Sequence, residues 1–136
     1  VNYIEQNPEL AKNIENKIRA NVLFDNCCVI GSEQKFASAI IVVNQKRLLS
    51  WAKNNAKKEY DTDHLLESTE IQKMLLAEID KVNKTLADYE MIKKPIFVFD
   101  DWSIANGLLS QTLKPKRKNI HQHYAAEITK LYAAKK

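Results

Sequence analysis

The sequence predicts a small α+β domain, a three-stranded sheet with packed helices in the order α-β-β-α-α-β-loop-α. Three observations point there. Cys27–Ile30, Phe36–Val43 and Pro95–Phe99 are short, apolar and rich in β-branched or aromatic residues, as strands are. Between and around them, apolar residues recur at helical spacing. The composition, 45% hydrophobic and 28% charged over 136 residues, is that of one ordinary globular unit.

The elements follow in chain order. Asn7-Pro8-Glu9 reads as an N-cap, a first-turn proline and an acidic first turn. Leu10, Ile14 and Ile18 then define a helix over 8–20. Cys27–Ile30 is a buried strand, and Phe36–Val43 a second, joined through Ser32-Glu33-Gln34-Lys35 as a hairpin. Gln45–Asn54 is helical, with Leu48, Leu49 and Ala52 on one side. Lys53–Glu67 is polar and aperiodic and reads mainly as loop. Thr69 with Gln72 resembles a capping box, opening a long helix marked by Ile71, Leu75, Ile79, Val82 and Leu86. Pro95–Phe99 is the third strand, followed by a loop around Asn106-Gly107. Ile120, Tyr124, Ile128 and Leu131 mark a final helix over 116–134.

Other counts exclude function classes. No apolar run approaches the roughly 18–20 residues of a membrane span. Val1 stands where Met would, and no basic segment followed by an apolar stretch opens the chain, which predicts a processed chain or an excised fragment without a signal peptide. Only two glycines, Gly31 and Gly107, are present and they lie far apart, so a phosphate-cradling glycine loop is not built here. Cys27 and Cys28 are neighbours whose side chains point to opposite faces of a strand, which predicts two buried free thiols in a reducing, cytoplasmic setting. His121 and His123 diverge by about 200° on a helix and cannot share a metal as an i, i+4 pair would, and His64 is alone. Asp100-Asp101 reads as a turn or cap, and Trp102 as a plug of the core.

Charge is unevenly placed. Lys114–Lys136 carries six lysines and one arginine against Glu127, a net of +6, while the preceding 113 residues carry 14 bases and 16 acids, a net of −2. The density peaks at Lys114-Pro-Lys-Arg-Lys118, where cations at a helix start oppose the macrodipole. Such a cluster calls for an anionic partner. Pro115 keeps Lys114 out of the helix, so this lysine is presented from a loop beside the hydroxyls of Ser110 and Thr112. A loop lysine delivers a point charge to a phosphate or a carboxylate.

At these residues the chain resembles the C-terminal domain of long-chain acyl-CoA synthetases, within the adenylate-forming superfamily. Asn13-Ile-Glu-Asn-Lys-Ile18 resembles the helix that opens that domain, and Cys28-Val-Ile-Gly31 its first strand. Glu70-Ile-Gln-Lys73, Glu78-Ile-Asp-Lys-Val-Asn-Lys84 and Tyr89-Glu-Met-Ile-Lys-Lys94 resemble the long helix and its exit. Asp101-Trp-Ser-Ile104, Asn106-Gly107 and Thr112-Leu-Lys-Pro-Lys-Arg-Lys118 resemble the closing motif. Leu108, Ser110, Gln111 and Pro115 depart from it, standing where an acid, a threonine, a proline and an aliphatic residue are common.

The resemblance implies a single C-terminal lid domain, 1–136, whose large N-terminal ATP-binding domain is its partner and is absent from this chain. It implies that Lys114 is the catalytic lysine, reaching the acyl carboxylate and the α-phosphate region of ATP as pyrophosphate leaves. It assigns Lys116, Arg117 and Lys118 to phosphates of coenzyme A or to the domain seam. The parent would be a long-chain fatty-acid–CoA ligase using ATP, Mg²⁺ and coenzyme A, with the lid swinging to serve a thioester-forming step. The isolated chain is expected to bind none of these and to be inactive. The alternative reading is a non-catalytic basic module that docks on nucleic acid, protein or, peripherally, a membrane surface. Against nucleic acid, the cluster is short and no stacking aromatics adjoin it.

Overall fold

In a computed structural model, residues 8–30, 37–56, 62–86 and 91–133 are described. The turn over 32–35, Phe36, the Tyr89-Glu90 part of the exit motif and the side chains of Leu10, His64 and Tyr132 lie outside them. Five α-helices and one three-stranded sheet are found among the described residues. Helix α1 spans Pro8–Arg19, strand β1 Phe24–Ile30, strand β2 Ser38–Val43 and helix α2 Gln45–Ala56. Helix α3 spans Thr69–Asn83, strand β3 Ile96–Val98, helix α4 Arg117–His123 and helix α5 Ala125–Ala133. The predicted α+β class and the order of its strands and helices are those observed, with the last helix in two pieces.

β2 is the central strand. It pairs antiparallel with β1, Cys28 opposite Ile40, and parallel with β3, Ile41 opposite Phe97. Period-two alternation sends its residues into two separate cores. Cys27, Val29, Ala39, Ile41 and Val43 face the larger one, with Ile14 and Ile18 of α1, Leu48 of α2 and Ile71, Leu75 and Ile79 of α3. Cys28, Ile40 and Val42 face the smaller one, which is closed by Trp102, Leu108, Leu109, Ile120 and Tyr124. The two thiols form no disulfide and are buried on opposite faces of the sheet.

Several boundaries differ from the sequence reading. β1 begins at Phe24, three residues early, because a bulge between Phe24 and Asn26 lets polar Asp25 and Asn26 sit at the outer edge. α2 runs on to Ala56, and Thr62–Glu67 is a 3-10 helix, so the polar segment is only partly loop. The cap of α3 is Ser68, whose hydroxyl accepts from the Ile71 N–H, while Gln72 donates its amide to Leu66 O; the Thr69 capping box does not form. β3 is trimmed to three residues. The predicted final helix is distorted at Tyr124, where φ is −107° and ψ 23°.

Candidate functional site

Lys114 sits on a small hairpin that the sequence reading treats as loop. Leu109 and Pro115 form an antiparallel bridge, and the stem is closed by Lys116 N–H to Leu108 O at 2.9 Å and Ser110 N–H to Lys114 O at 2.8 Å. At the tip, Leu113 N–H donates to Ser110 O at 2.8 Å, and Leu113 takes φ +64°. That is the pattern of a three-residue hairpin loop ending in a left-handed bulge residue. The Ser110 hydroxyl accepts from the Lys114 N–H at 3.2 Å and lies 3.0 Å from the Thr112 hydroxyl. The hydroxyls thus shape the tip, and the Lys114 side chain is left exposed beyond it.

The hairpin grows from a knotted turn. Asn106 Oδ1 accepts from the Ser103 and Leu108 N–H groups, and its amide donates to Asp101 O at 2.7 Å. Gly107 takes φ +81°, which a side chain would strain; its carbonyl accepts from the Asn119 amide of α4. Below, Leu108 and Leu109 are buried beside Trp102 and Ile120. Trp102 does plug this smaller core. Its Nε1–H donates to the Tyr124 hydroxyl at 3.0 Å, which in turn donates to Asp100 Oδ2 at 2.7 Å. Burial first, then the neighbouring Asp100, push the Tyr124 phenol well above its usual range, with the Trp102 hydrogen bond acting the other way.

The basic cluster divides. Lys114, Lys116 and Lys118 are exposed, whereas Arg117 turns inward. Its Nη1 donates to Val29 O at 2.6 Å and lies 3.4 Å from Cys28 Sγ. Its Nη2 pairs with Glu15 Oε2 at 3.1 Å, and the same oxygen accepts the Val29 N–H at 2.8 Å. Arg117, grouped by sequence with phosphate-contacting lysines, is thus engaged by α1 and the edge of β1. Burial raises the Glu15 carboxyl above its ordinary value, and Arg117 and the Val29 N–H oppose that shift. Glu15 was not singled out by sequence. Its signal was nonetheless present: it lies on the apolar stripe of Ala11, Ile14 and Ile18, where an acid needs a partner.

Other candidates are dispersed. His123 packs edge-on against Tyr124 with ring centroids 4.6 Å apart. No three His, Cys, Asp or Glu side chains gather as a metal site among the described residues. The Cys27 thiol is pushed well above its usual range, chiefly by burial and then by Glu15, which disfavours the nucleophilic thiolate.

The family model for the AMP-binding enzyme C-terminal domain matches residues 9–136. Over 128 residues the chain is 28% identical to long chain acyl-CoA synthetase 2 of Arabidopsis thaliana, covering 92% of this chain and 19% of that protein. It is 30% identical over 104 residues to human long-chain-fatty-acid–CoA ligase 1, covering 75% and 15% respectively. The chain therefore spans about a fifth or less of the curated relatives it matches. The adenylation domain of a carboxylic acid reductase from Segniliparus rugosus, solved with AMP, superposes with a TM-score of 0.71 at 21% identity. That match covers 92% of this chain and 18% of that one.

Proposed function

Because the chain belongs to the AMP-binding enzyme C-terminal domain family, we propose that it is the lid of an ATP-dependent long-chain acyl-CoA synthetase. Its work is to carry Lys114 to the reacting centre of a large N-terminal domain. The observation that carries this reading is the Lys114 hairpin itself: an exposed cation at the tip of a stem held by backbone hydrogen bonds and rooted in a buried core. It coincides with the motif lysine of the acyl-CoA synthetase resemblance.

Adenylation of a fatty acid brings a carboxylate against the α-phosphate and releases pyrophosphate, so negative charge builds at the join. A cation already held in place stabilises that charge without reorganising at the moment of reaction. Lys114 is such a group, aimed by Leu113 behind it and Pro115 ahead of it. Mg²⁺ bound by the parent enzyme would neutralise the phosphates of ATP, and Lys114 is the cation this chain would add to the adenylation step. Lys116 and Lys118, exposed next to the hairpin, are suited to phosphates of coenzyme A or to the domain seam. Arg117 is assigned no such contact in this reading, since its guanidinium is held by Glu15 and Val29. After adenylation the lid would rotate and offer another surface for thioester formation, and by itself the chain would not catalyse either step.

The test is fatty-acid-dependent ATP–pyrophosphate exchange by the complete gene product, as wild type and as Lys114→Ala. Exchange is expected to fall by about a hundred- to a thousand-fold or more with the fold retained. Exchange at the wild-type rate would remove Lys114 from the chemistry.

A further inference from the structure

We propose that Glu15 and Arg117 are positioning residues that fix the hairpin bearing Lys114 against the edge of the sheet. The inference rests on the adenylation role given to Lys114 above.

Among the described residues β1 is an edge strand of the sheet, paired with β2 on one side. At Val29 its outward N–H and C=O are both taken by side chains, the N–H by Glu15 of α1 and the C=O by Arg117 of α4. Arg117 also pairs with the Glu15 oxygen that holds the Val29 N–H, so α1, β1 and α4 meet at one closed set of hydrogen bonds. Arg117 is the first residue of α4 and lies three positions after Lys114, directly beyond the stem residues Pro115 and Lys116. Wherever the guanidinium is fixed, the base of the stem is fixed too. α4 has no side-chain cap at Lys116, so its opening turn lacks the usual local anchor.

Stability alone is a poor account of this arrangement. The cost of taking two charges out of water offsets most of their attraction, and an apolar pair would fill the space as well. What an apolar pair would not do is fix direction. The planar fork of Arg117 addresses Val29 O and Glu15 Oε2 at once, which sets both the distance and the angle at which the chain leaves the hairpin. A displacement near 1 Å in a reacting group is enough to cost about a hundred-fold in rate.

The experiment compares Glu15→Gln, Arg117→Lys and Arg117→Ala with Lys114→Ala, singly and combined, in the complete gene product. Two half-reactions are followed: ATP–pyrophosphate exchange, and conversion of preformed acyl-adenylate with coenzyme A to the thioester. Glu15→Gln and Arg117→Lys are expected to lower kcat for exchange about ten- to a hundred-fold, with KM nearly unchanged and the thioester step at the wild-type rate. Added to Lys114→Ala they should cost nothing more, since the group they aim is already gone. Should Arg117→Ala fail to fold, Arg117→Lys carries the test, because it keeps the charge and loses the fork. Equal losses in both half-reactions, or losses that add fully to Lys114→Ala, would reduce the pair to a structural role and overturn the proposal. Wild-type exchange in Glu15→Gln and Arg117→Lys beside a collapsed Lys114→Ala would overturn it while leaving the adenylation reading intact. Unchanged exchange in Lys114→Ala would instead defeat that underlying reading.

Discussion

The two faces of the sheet are held by different physics. On one, Ile14, Ile18, Ile41, Leu48, Leu65, Ile71, Leu75 and Ile79 are almost wholly buried, and the cohesion is that of close-packed aliphatic side chains. On the other, the buried set among the described residues is smaller, Cys28, Ile40, Val42, Leu108, Leu109 and Ile120 with Trp102 and Tyr124. Polar bonds tie the segments around it: Trp102 to Tyr124 to Asp100, Asn106 across its turn and, over the edge of β1, Arg117 to Glu15 and Val29. Burial is non-directional and scales with area, so the first face supplies stability. Hydrogen bonds add about 1 kcal/mol net each but fix angles, so the second face supplies geometry. The exposed lysine stands on the second.

The comparison breaks most visibly on the aliphatic face. Leu75→Ala removes a fully buried side chain at the centre of α3 and should cost about 2–5 kcal/mol in urea unfolding of the chain. Exchange per folded molecule should stay at the wild-type value, because no bond to the hairpin is touched. A specific fall in kcat at temperatures where Leu75→Ala remains folded would show that the two faces are not separable in this way.

Tyr124 tests the polar face. Tyr124→Phe leaves Trp102 Nε1 without its acceptor and removes the bond to Asp100, a loss of about 1–3 kcal/mol. The pH dependence has a definite sign. The Tyr124 phenol in the fold lies well above its ordinary value of 10.0, so the folded state holds the proton more tightly than the unfolded chain. Its contribution is complete below about pH 10 and is lost as pH climbs beyond that, toward the raised value. The stability gap between wild type and Tyr124→Phe should therefore be constant from pH 7 to 9.5 and narrow above pH 10. A gap that already shrinks near pH 8 would mean that another group controls this network.

The same division explains what was legible in the sequence. The aliphatic face announces itself locally: Ile14 and Ile18, or Ile71, Leu75 and Ile79, fall at helical spacing, and the strands are continuous apolar runs because both of their faces are covered. The position of Lys114 outside the helix was legible for a local reason as well, since Pro115 bars it from the helix. The polar face is built from partners distant in sequence. Nothing near Arg117 indicates that its fork lies on Glu15 and Val29 rather than in solvent, and nothing near Tyr124 shows that Asp100 and Trp102 hold its hydroxyl at a distorted turn of helix. The hairpin was hidden for a different reason. Its left-handed position carries leucine, where glycine or asparagine would have signalled the turn.

That leucine sets the smallest and most discriminating effect. Leu113 is 61% exposed, so it contributes little to either core, yet it occupies φ +64°. The left-handed region costs a residue with a Cβ about 1–2 kcal/mol, while glycine costs about 0.5–1 kcal/mol in lost chain entropy. Leu113→Gly should therefore be neutral to about 1 kcal/mol stabilising, and Leu113→Ala, which keeps the strain, should not gain. Exchange should move the other way, falling several-fold in Leu113→Gly because a glycine beside Lys114 lets the tip sample orientations that the leucine forbids. Differential unfolding of the two variants, with exchange measured alongside, separates the contributions. A glycine variant that is both less stable and fully active would mean that the Leu113 side chain packs on a partner surface and that the aim of Lys114 is set elsewhere.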